Sequence, residues 1–412
     1  MNMLSPLCFA TRTTRFCRMI MYLVLASTST IAAAQAGQLD STFASNGIFF
    51  SSGTTSTTVA LQSNGQIVVG GSSGEDGAVI RLNTNGTLDK NFGTGGTVLL
   101  KFADINSVVT GMAVQSDGKI LVVGTGLPQG GSIMRLNTDG SIDSSFGTNG
   151  STALTSTPGL LVLLASGEFL VTTTTPGTIN SMIQRFESNG ALDASFGTGG
   201  SAPISGNTAI ALESNGKILL TSVALGPGNA SISRYNANGS LDGKFGVTGQ
   251  TATLNGAAVA VQGNGIVSVG TVVSQLALGG NSTGFGVQRF NSNGMVEAKF
   301  GTRGGVMTTF PNSPATGATA VLIQPNGDIV AGGEAGTSTP FGSDLVESFA
   351  LARYLSNGQL DNSFGTGGLV TTSFGSSAQA KIAALALQSD GKIVAVGNNQ
   401  GIGLIVARYL GQ

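Results

Sequence analysis

The sequence predicts an all-β fold, a seven-bladed β-propeller of four-stranded antiparallel blades. Three observations predict it: a sevenfold repeat, two tight-turn signals in each repeat, and chain ends that complement one another. The repeat is read from a phenylalanine, which falls at Phe43, Phe92, Phe146, Phe196, Phe245, Phe300 and Phe364, at spacings of 49, 54, 50, 49, 55 and 64 residues. Three residues before it stands an acid each time: Asp40, Asp89, Asp143, Asp193, Asp242, Glu297 and Asp361. Eight residues before most of these acids stands an arginine, at Arg81, Arg135, Arg185, Arg234, Arg289 and Arg353, and Arg408 closes the series. A period of this length marks copies of one supersecondary unit, stacked or set radially. The units run over about 39–87, 88–141, 142–191, 192–240, 241–295, 296–359 and 360–412, so 37–412 reads as one domain.

Within a unit each element has its own signal, clearest in the second copy. Val108 to Gln115 is a strand candidate, Ser116-Asp117-Gly118 a turn, and Lys119 to Gly124 a second strand. After a variable loop, Ser132 to Asn137 is a third strand, Thr138-Asp139-Gly140 a turn, and the element ending in Phe146-Gly147 leads into a fourth. Runs of β-branched and apolar residues bounded by Gly, Asn and Asp are the expected strand pattern. Asn-Gly and Asp-Gly pairs, which adopt positive φ at low steric cost, close tight hairpins. They recur between first and second strands, as at Asn64-Gly65 and Asn264-Gly265, and between third and fourth, as at Asn85-Gly86 and Asn189-Gly190. Such hairpins have no place in a parallel β-helix, the alternative repeat fold. Gly37-Gln38-Leu39-Asp40 matches Gly358-Gln359-Leu360-Asp361, and the chain ends just after the third strand of its last unit. A strand near Ile48 to Ser51 is therefore expected to complete the blade formed by Ala380 to Tyr409, leaving no unpaired sheet edge.

Met1 to Ala36 stands apart. It holds Arg12, Arg15 and Arg18, no acid, an apolar run from Met19 to Leu25, and the small-x-small triplet Ala34-Gln35-Ala36. This is the pattern of a secretory signal peptide cleaved after Ala36. The apolar run is shorter than the roughly 20 residues of a membrane span. An exported chain, secreted or periplasmic, is expected.

Both cysteines, Cys8 and Cys17, lie in that leader, and the chain has no histidine. The part from Gly37 therefore has no means of building a Ser-His-Asp or Cys-His site, or a His- or Cys-liganded metal centre, and no cofactor is expected. Without the leader's three arginines, 19 basic residues become 16 against 20 acidic, a formal charge of −4, which is wrong for nucleic acid. No metal site is expected either: turns such as Asn137-Thr138-Asp139-Gly140 lack the alternating acids of a calcium loop. Gly93-Thr94-Gly95-Gly96 precedes no helix that would bind a phosphate. The repeat Asp and Arg read as parts that fix each unit's own geometry, and Tyr235, Tyr354 and Tyr409 as packing residues.

The quoted elements resemble the delta-60 repeat, a bacterial β-propeller family of unknown function. Leu192-Asp193-Ala194-Ser195-Phe196-Gly197-Thr198-Gly199-Gly200 is similar to one of its elements, and Ala386-Leu387-Gln388-Ser389-Asp390-Gly391-Lys392-Ile393-Val394-Ala395-Val396-Gly397 to the other. The third unit departs most, with Leu164-Ala165-Ser166-Gly167-Glu168-Phe169 where Gln-Ser-Asp-Gly-Lys-Ile is the pattern. The resemblance implies the fold and supplies no catalytic or binding residues.

In a meander both Asn-Gly hairpins of a unit lie on one face and the longer loops on the other, where function tends to sit. Those loops include Ser72 to Gly77, the stretch around Asp104, Gln275 to Gly284, and Glu334 to Glu347. Their acids Glu75, Asp76, Asp104, Glu334, Asp344 and Glu347 are the expected binding residues. The expected function is that of a monomeric, non-catalytic binding scaffold for a protein or cell-surface glycan. The alternatives are a structural surface component and a polysaccharide lyase or glycosidase, which needs two carboxylates roughly 5–10 Å apart. The channel strands offer the second alternative little besides Glu213, and the chain has no tryptophan.

Overall fold

The computed structural model describes residues 35–412 apart from 129, 179, 223–229, 254–255, 277–279, 338–346, 376–377 and 401–402, and no side chain within 275–281. The expected leader therefore lies outside the described residues up to position 34, as does Asp344. No helix is present among the described residues, and none is long and apolar enough to cross a membrane.

Seven antiparallel sheets of four strands make up the fold. In order, blade 1 spans residues 58–100, blade 2 105–154, blade 3 157–204, blade 4 209–252, blade 5 258–308 and blade 6 315–372. Blade 7 takes three strands, Ala380–Leu387, Ile393–Asn399 and Gly403–Tyr409, from the end of the chain and the fourth, Ile48–Ser52, from its beginning, with Ile48 opposite Ala407. First strands of successive blades touch one another all the way round, which makes them the innermost layer of a closed ring.

The middle strands read as continuous apolar runs because both their faces are buried between blades. In Ile67–Ser73, Ile67 and Val69 pack toward blade 7 and Val68 toward blade 2. Seven apolar clusters result among the described residues, one at each blade-to-blade contact. At the hairpin end the blades are also tied by backbone. The N–H after each repeat phenylalanine donates to a turn carbonyl of the next blade: Ala44 to Asn85, Gly93 to Asp139, Gly147 to Asn189, Gly197 to Asn238, Gly246 to Asn293, Gly301 to Asn357, and Gly365 to Ala36, all at 2.7–2.9 Å.

The hairpins differ from the expected form. Gly118 alone takes positive φ, +83°, while Gln115 N–H donates to Lys119 O at 2.8 Å and Gly118 N–H to Gln115 O at 2.9 Å. That is a three-residue loop, a type I turn followed by a left-handed glycine, rather than a pair with both residues at positive φ. Asp117 serves differently: its carboxylate accepts the Lys119 N–H at 3.1 Å. Asn64, Asn85, Asp139 and Asn189 cap their turns in the same way. Blade 5 is the exception. Gly265 opens the strand Gly265–Leu276, and Gly263 at φ +56° with Asn264 makes a two-residue turn, one residue shorter than Ser116-Asp117-Gly118 and displaced from the expected Asn264-Gly265 pair.

Two expected loops are partly strand. Of Gln275 to Gly284, all but 277–279, which lie outside the described residues, belong to Gly265–Leu276 and Gly280–Phe290, which pair with Thr271 opposite Phe285 and Val272 opposite Gly284. The β-branched Thr271-Val272-Val273 run carries the ladder outward, and Gly284, the end of the expected loop, sits within it. Likewise Ser72 to Gly77 shrinks to a two-residue turn, because Ser73 pairs with Asp76.

Candidate functional site

The sevenfold Arg-acid-Phe constellation, with Asp in six copies and Glu297 in the other, occupies the hairpin end and is structural. In blade 2, Arg135 Nε donates to Asp143 Oδ2 at 2.7 Å, its Nη1 to the Ser188 carbonyl of the next blade at 2.7 Å, and its guanidinium lies 4.9 Å from the Phe146 ring centre. Asp143 Oδ1 accepts the Ser145 hydroxyl at 2.7 Å and N–H at 3.1 Å, and Lys119 Nζ reaches Oδ2 at 2.9 Å. The Ser145 hydroxyl first, then Lys119 and Arg135, hold the Asp143 carboxyl well below the usual range in spite of its burial. Satisfied on all sides and buried, this carboxylate has nothing left to offer a ligand. Glu213, the acid expected on a channel strand, belongs to the same end: it lies beyond Ala209–Leu212 and accepts Arg234 Nη1 at 3.2 Å. Tyr354 and Tyr409 are fully buried, with hydroxyls on Thr308 and Thr372, and burial raises both phenols.

One corner is frustrated. A lysine from the first hairpin bridges the repeat Asp in blade 2, where Lys119 meets Asp143 at 2.9 Å, and in blade 4, where Lys217 meets Asp242 at 2.6 Å. Blade 3 has Glu168 there, so Glu168, Glu187 and Asp193 bring carboxylate oxygens within 4.8 Å of one another, with Arg185 on Asp193 as counter-charge. Glu168→Lys should therefore stabilise the protein by about 0.5–1 kcal/mol, because it removes a repulsion and installs the partly exposed ion pair of blades 2 and 4. Urea denaturation at neutral pH checks this; a midpoint that stays or falls would contradict the assignment.

The opposite end holds a cavity of about 760 Å³, inside the roughly 300–1,000 Å³ range of small-ligand sites. Its wall comes from three blades: Thr319 and Glu347 from blade 6, Gln379, Lys381, Asn398, Asn399 and Gln400 from blade 7, and Thr54, Thr55 and Ser72 leading into or within blade 1. The wall is braced by its own hydrogen bonds. Asn398 Oδ1 accepts the Ser56 N–H at 2.6 Å, its Nδ2 donates to Ser56 O at 2.8 Å, and Asn399 Oδ1 accepts the Gln379 N–H at 3.0 Å. Gly397 has a packing reason to be glycine here, since a Cβ would come within 1.9 Å of the Lys381 carbonyl.

Lys381 Nζ stands 3.3 Å from Glu334 Oε1. Glu334 projects over Gly317 between blades 5 and 7, and its Oε2 is buried with no hydrogen-bond partner among the described residues. Burial pushes the Glu334 carboxyl above its ordinary range against the pull of Lys381, and the nearby Glu347 charge pushes the same way. Of the expected binding residues, Glu347 lines the cavity and Glu334 adjoins it through Lys381. Glu75 and Asp76 flank the Ser72–Gly74 part of the rim, with Asp76 3.8 Å from Lys101, and Asp104 is exposed away from the wall. Sequence reasoning missed Lys381 and the amide run Asn398-Asn399-Gln400. The signal was available in that run, three amides in succession at the end of the strand Ile393–Asn399.

The family model described as "Domain of unknown function (DUF5122) beta-propeller" matches residues 62–92, 115–146, 213–245 and 324–364, about a third of the chain. Each match has a repeat phenylalanine as its last residue, at Phe92, Phe146, Phe245 and Phe364. None of the curated proteins compared matches the chain. Among solved structures, Drosophila Semaphorin 2a is similar at 9% identity over 91% of this chain and 76% of that one, with a TM-score of 0.52. A gluconolactonase from Xanthomonas campestris shares 12% identity over 92% and 91%, with a TM-score of 0.42. A protein of unknown function from Bacteroides caccae shares 13% over 78% and 87%, with a TM-score of 0.37. At such identities the likeness is one of fold. The family match and the seven blades together support a β-propeller repeat family of unknown function.

Proposed function

We propose that this is an exported, monomeric, non-catalytic propeller of the delta-60 type that binds a protein segment or cell-surface glycan in the cavity between blades 6, 7 and 1. The observation that carries the reading is the wall itself. It combines hydroxyls, side-chain amides, one ammonium and one carboxylate, on a scaffold braced beforehand by hydrogen bonds, so that little ordering is left for the ligand to impose. The test is binding of residues 35–412 to arrays of glycans and surface proteins, with calcium present and then chelated. A calcium-independent hit weakened at least about tenfold by Lys381→Met and by the exposed rim change Gln400→Ala, with melting curves unchanged, supports the reading. A hit indifferent to both would place binding elsewhere.

One observation favours a second reading, a carboxylate-dependent hydrolase or lyase. Glu334 is a carboxyl with a raised proton affinity near Glu347 and adjoining the cavity, and a perturbed acid at a cleft is a recognised mark of a functional site. Degradation of an arrayed glycan, abolished by Glu334→Gln, would decide for it.

A further inference from the structure

The ring closes through residues that the expected leader was assigned to contain. In blade 1 the hairpin before the fourth strand is continuous: Asn83 N–H donates to Thr87 O at 2.8 Å and Gly86 N–H to Asn83 O at 2.9 Å. Blade 7 makes the same two bonds across the two ends of the chain, Leu410 N–H to Gln38 O at 2.9 Å and Gly37 N–H to Leu410 O at 2.7 Å. Gly37, at φ +85°, thus takes the place of Gly86, at +82°, and Ala36 the place of Asn85. Ala36 also does what Asn85 does. Its carbonyl accepts the Gly365 N–H at 2.8 Å, the seventh member of the inter-blade series, and it is 6% exposed within the cluster between blades 6 and 7. Gln35 adds a second tie, Nε2 to the Gly365 carbonyl at 2.8 Å, and its own carbonyl accepts the Gln38 N–H at 3.1 Å.

A chain cut after Ala36 would lose the acceptor of the Gly365 amide and the buried Ala36 side chain of the cluster between blades 6 and 7. The small-x-small requirement is met equally by Ala32-Ala33-Ala34, two residues earlier and nearer the apolar run. We propose that the processing site is the Ala34–Gln35 peptide bond, and that Gln35 and Ala36 belong to the folded ring as its closing turn. This rests on the reading of residues 1–34 as an export signal. Hydrolysis of that bond leaves the Ala34 carboxylate on the leader and a free amine on Gln35.

The experiment is the intact mass of the protein recovered after expression of the full chain in a secreting bacterial host. A mass beginning at Gln35 is expected. A mass beginning at Gly37 would overturn the assignment of the site, and an uncleaved chain would overturn it by removing the export reading on which it rests. A second measurement addresses the structural claim directly, by comparing chains made to begin at Gln35 and at Gly37. Hydrogen exchange at the Gly365 amide should be roughly tenfold faster in the shorter chain, the loss of about one hydrogen bond. Equal protection would show that Ala36 does not close the ring.

Discussion

Phe196→Ala lowers the free energy of unfolding by about 3–5 kcal/mol, the range for emptying a fully buried aromatic site. Phe196 has no exposed surface and lies in the cluster that joins blade 3, through Leu170 and Ile183, to blade 4, through Ile218, Leu220 and Tyr235. Its ring also supports the Arg185 guanidinium, 5.1 Å from the ring centre, and fills the space where a Cβ on Gly239 would stand, 2.8 Å from Cζ. The void left by alanine is bounded by two turns and a packed arginine, none free to collapse into it. Equilibrium denaturation measures the loss, and an unchanged transition would remove Phe196 from the inter-blade core.

Asp242→Ala costs roughly 3 kcal/mol at neutral pH, at the lower end for breaking a buried ion pair. It strands Lys217 and Arg234, which reach Oδ2 at 2.6 and 2.8 Å, although Arg234 retains Glu213 and Lys217 is partly exposed. The same carboxyl gives the prediction a pH dependence. Lys217 foremost, with the Lys244 N–H and Arg234, outweighs burial and lowers the Asp242 proton affinity below that of the unfolded chain. A group so shifted contributes its full stability above the unfolded value of about 3.9 and loses it as pH falls toward the folded value. Asp40, Asp89, Asp143, Asp193 and Asp361 are shifted in the same direction. The wild-type denaturation midpoint should therefore hold steady down to about pH 4 and fall below it. The gap to Asp242→Asn should narrow over the same interval; a gap that widened on acidification would contradict the sign of the shift.

The fold was legible because its determinants are local and repeated. Gly118 and Asp117 set a hairpin within five residues, and seven similar units leave few ways to arrange the rest. Closure was legible too, since Gly37-Gln38-Leu39-Asp40 is a copy of Gly358-Gln359-Leu360-Asp361. What sequence reasoning missed is whatever depends on residues distant in the chain. Thr54, Lys381 and Asn398 meet only after the ring has closed, and Lys381 in isolation reads as an ordinary solvated strand lysine. Loop length misled for a related reason. Gly280 to Gly284 looks like a loop until Val272 to Leu276 is seen paired opposite it, and the short Asn398-Asn399-Gln400 segment turns out to line the cavity.

The pairing of Ile48 with Ala407 joins positions 359 residues apart, and it has a consequence in time. Synthesis delivers the outermost strand of blade 7 first and its three partners last, so no shorter nascent chain contains a complete seventh blade. Until Tyr409 emerges, Ile48–Ser52 has no partner in its sheet, and the open arc of blades presents two apolar flanks to its surroundings. Bringing such distant segments together is the entropically slowest kind of contact to form. Assembly should thus end in one late, all-or-none step, with the earlier arc the species most exposed to aggregation and proteolysis.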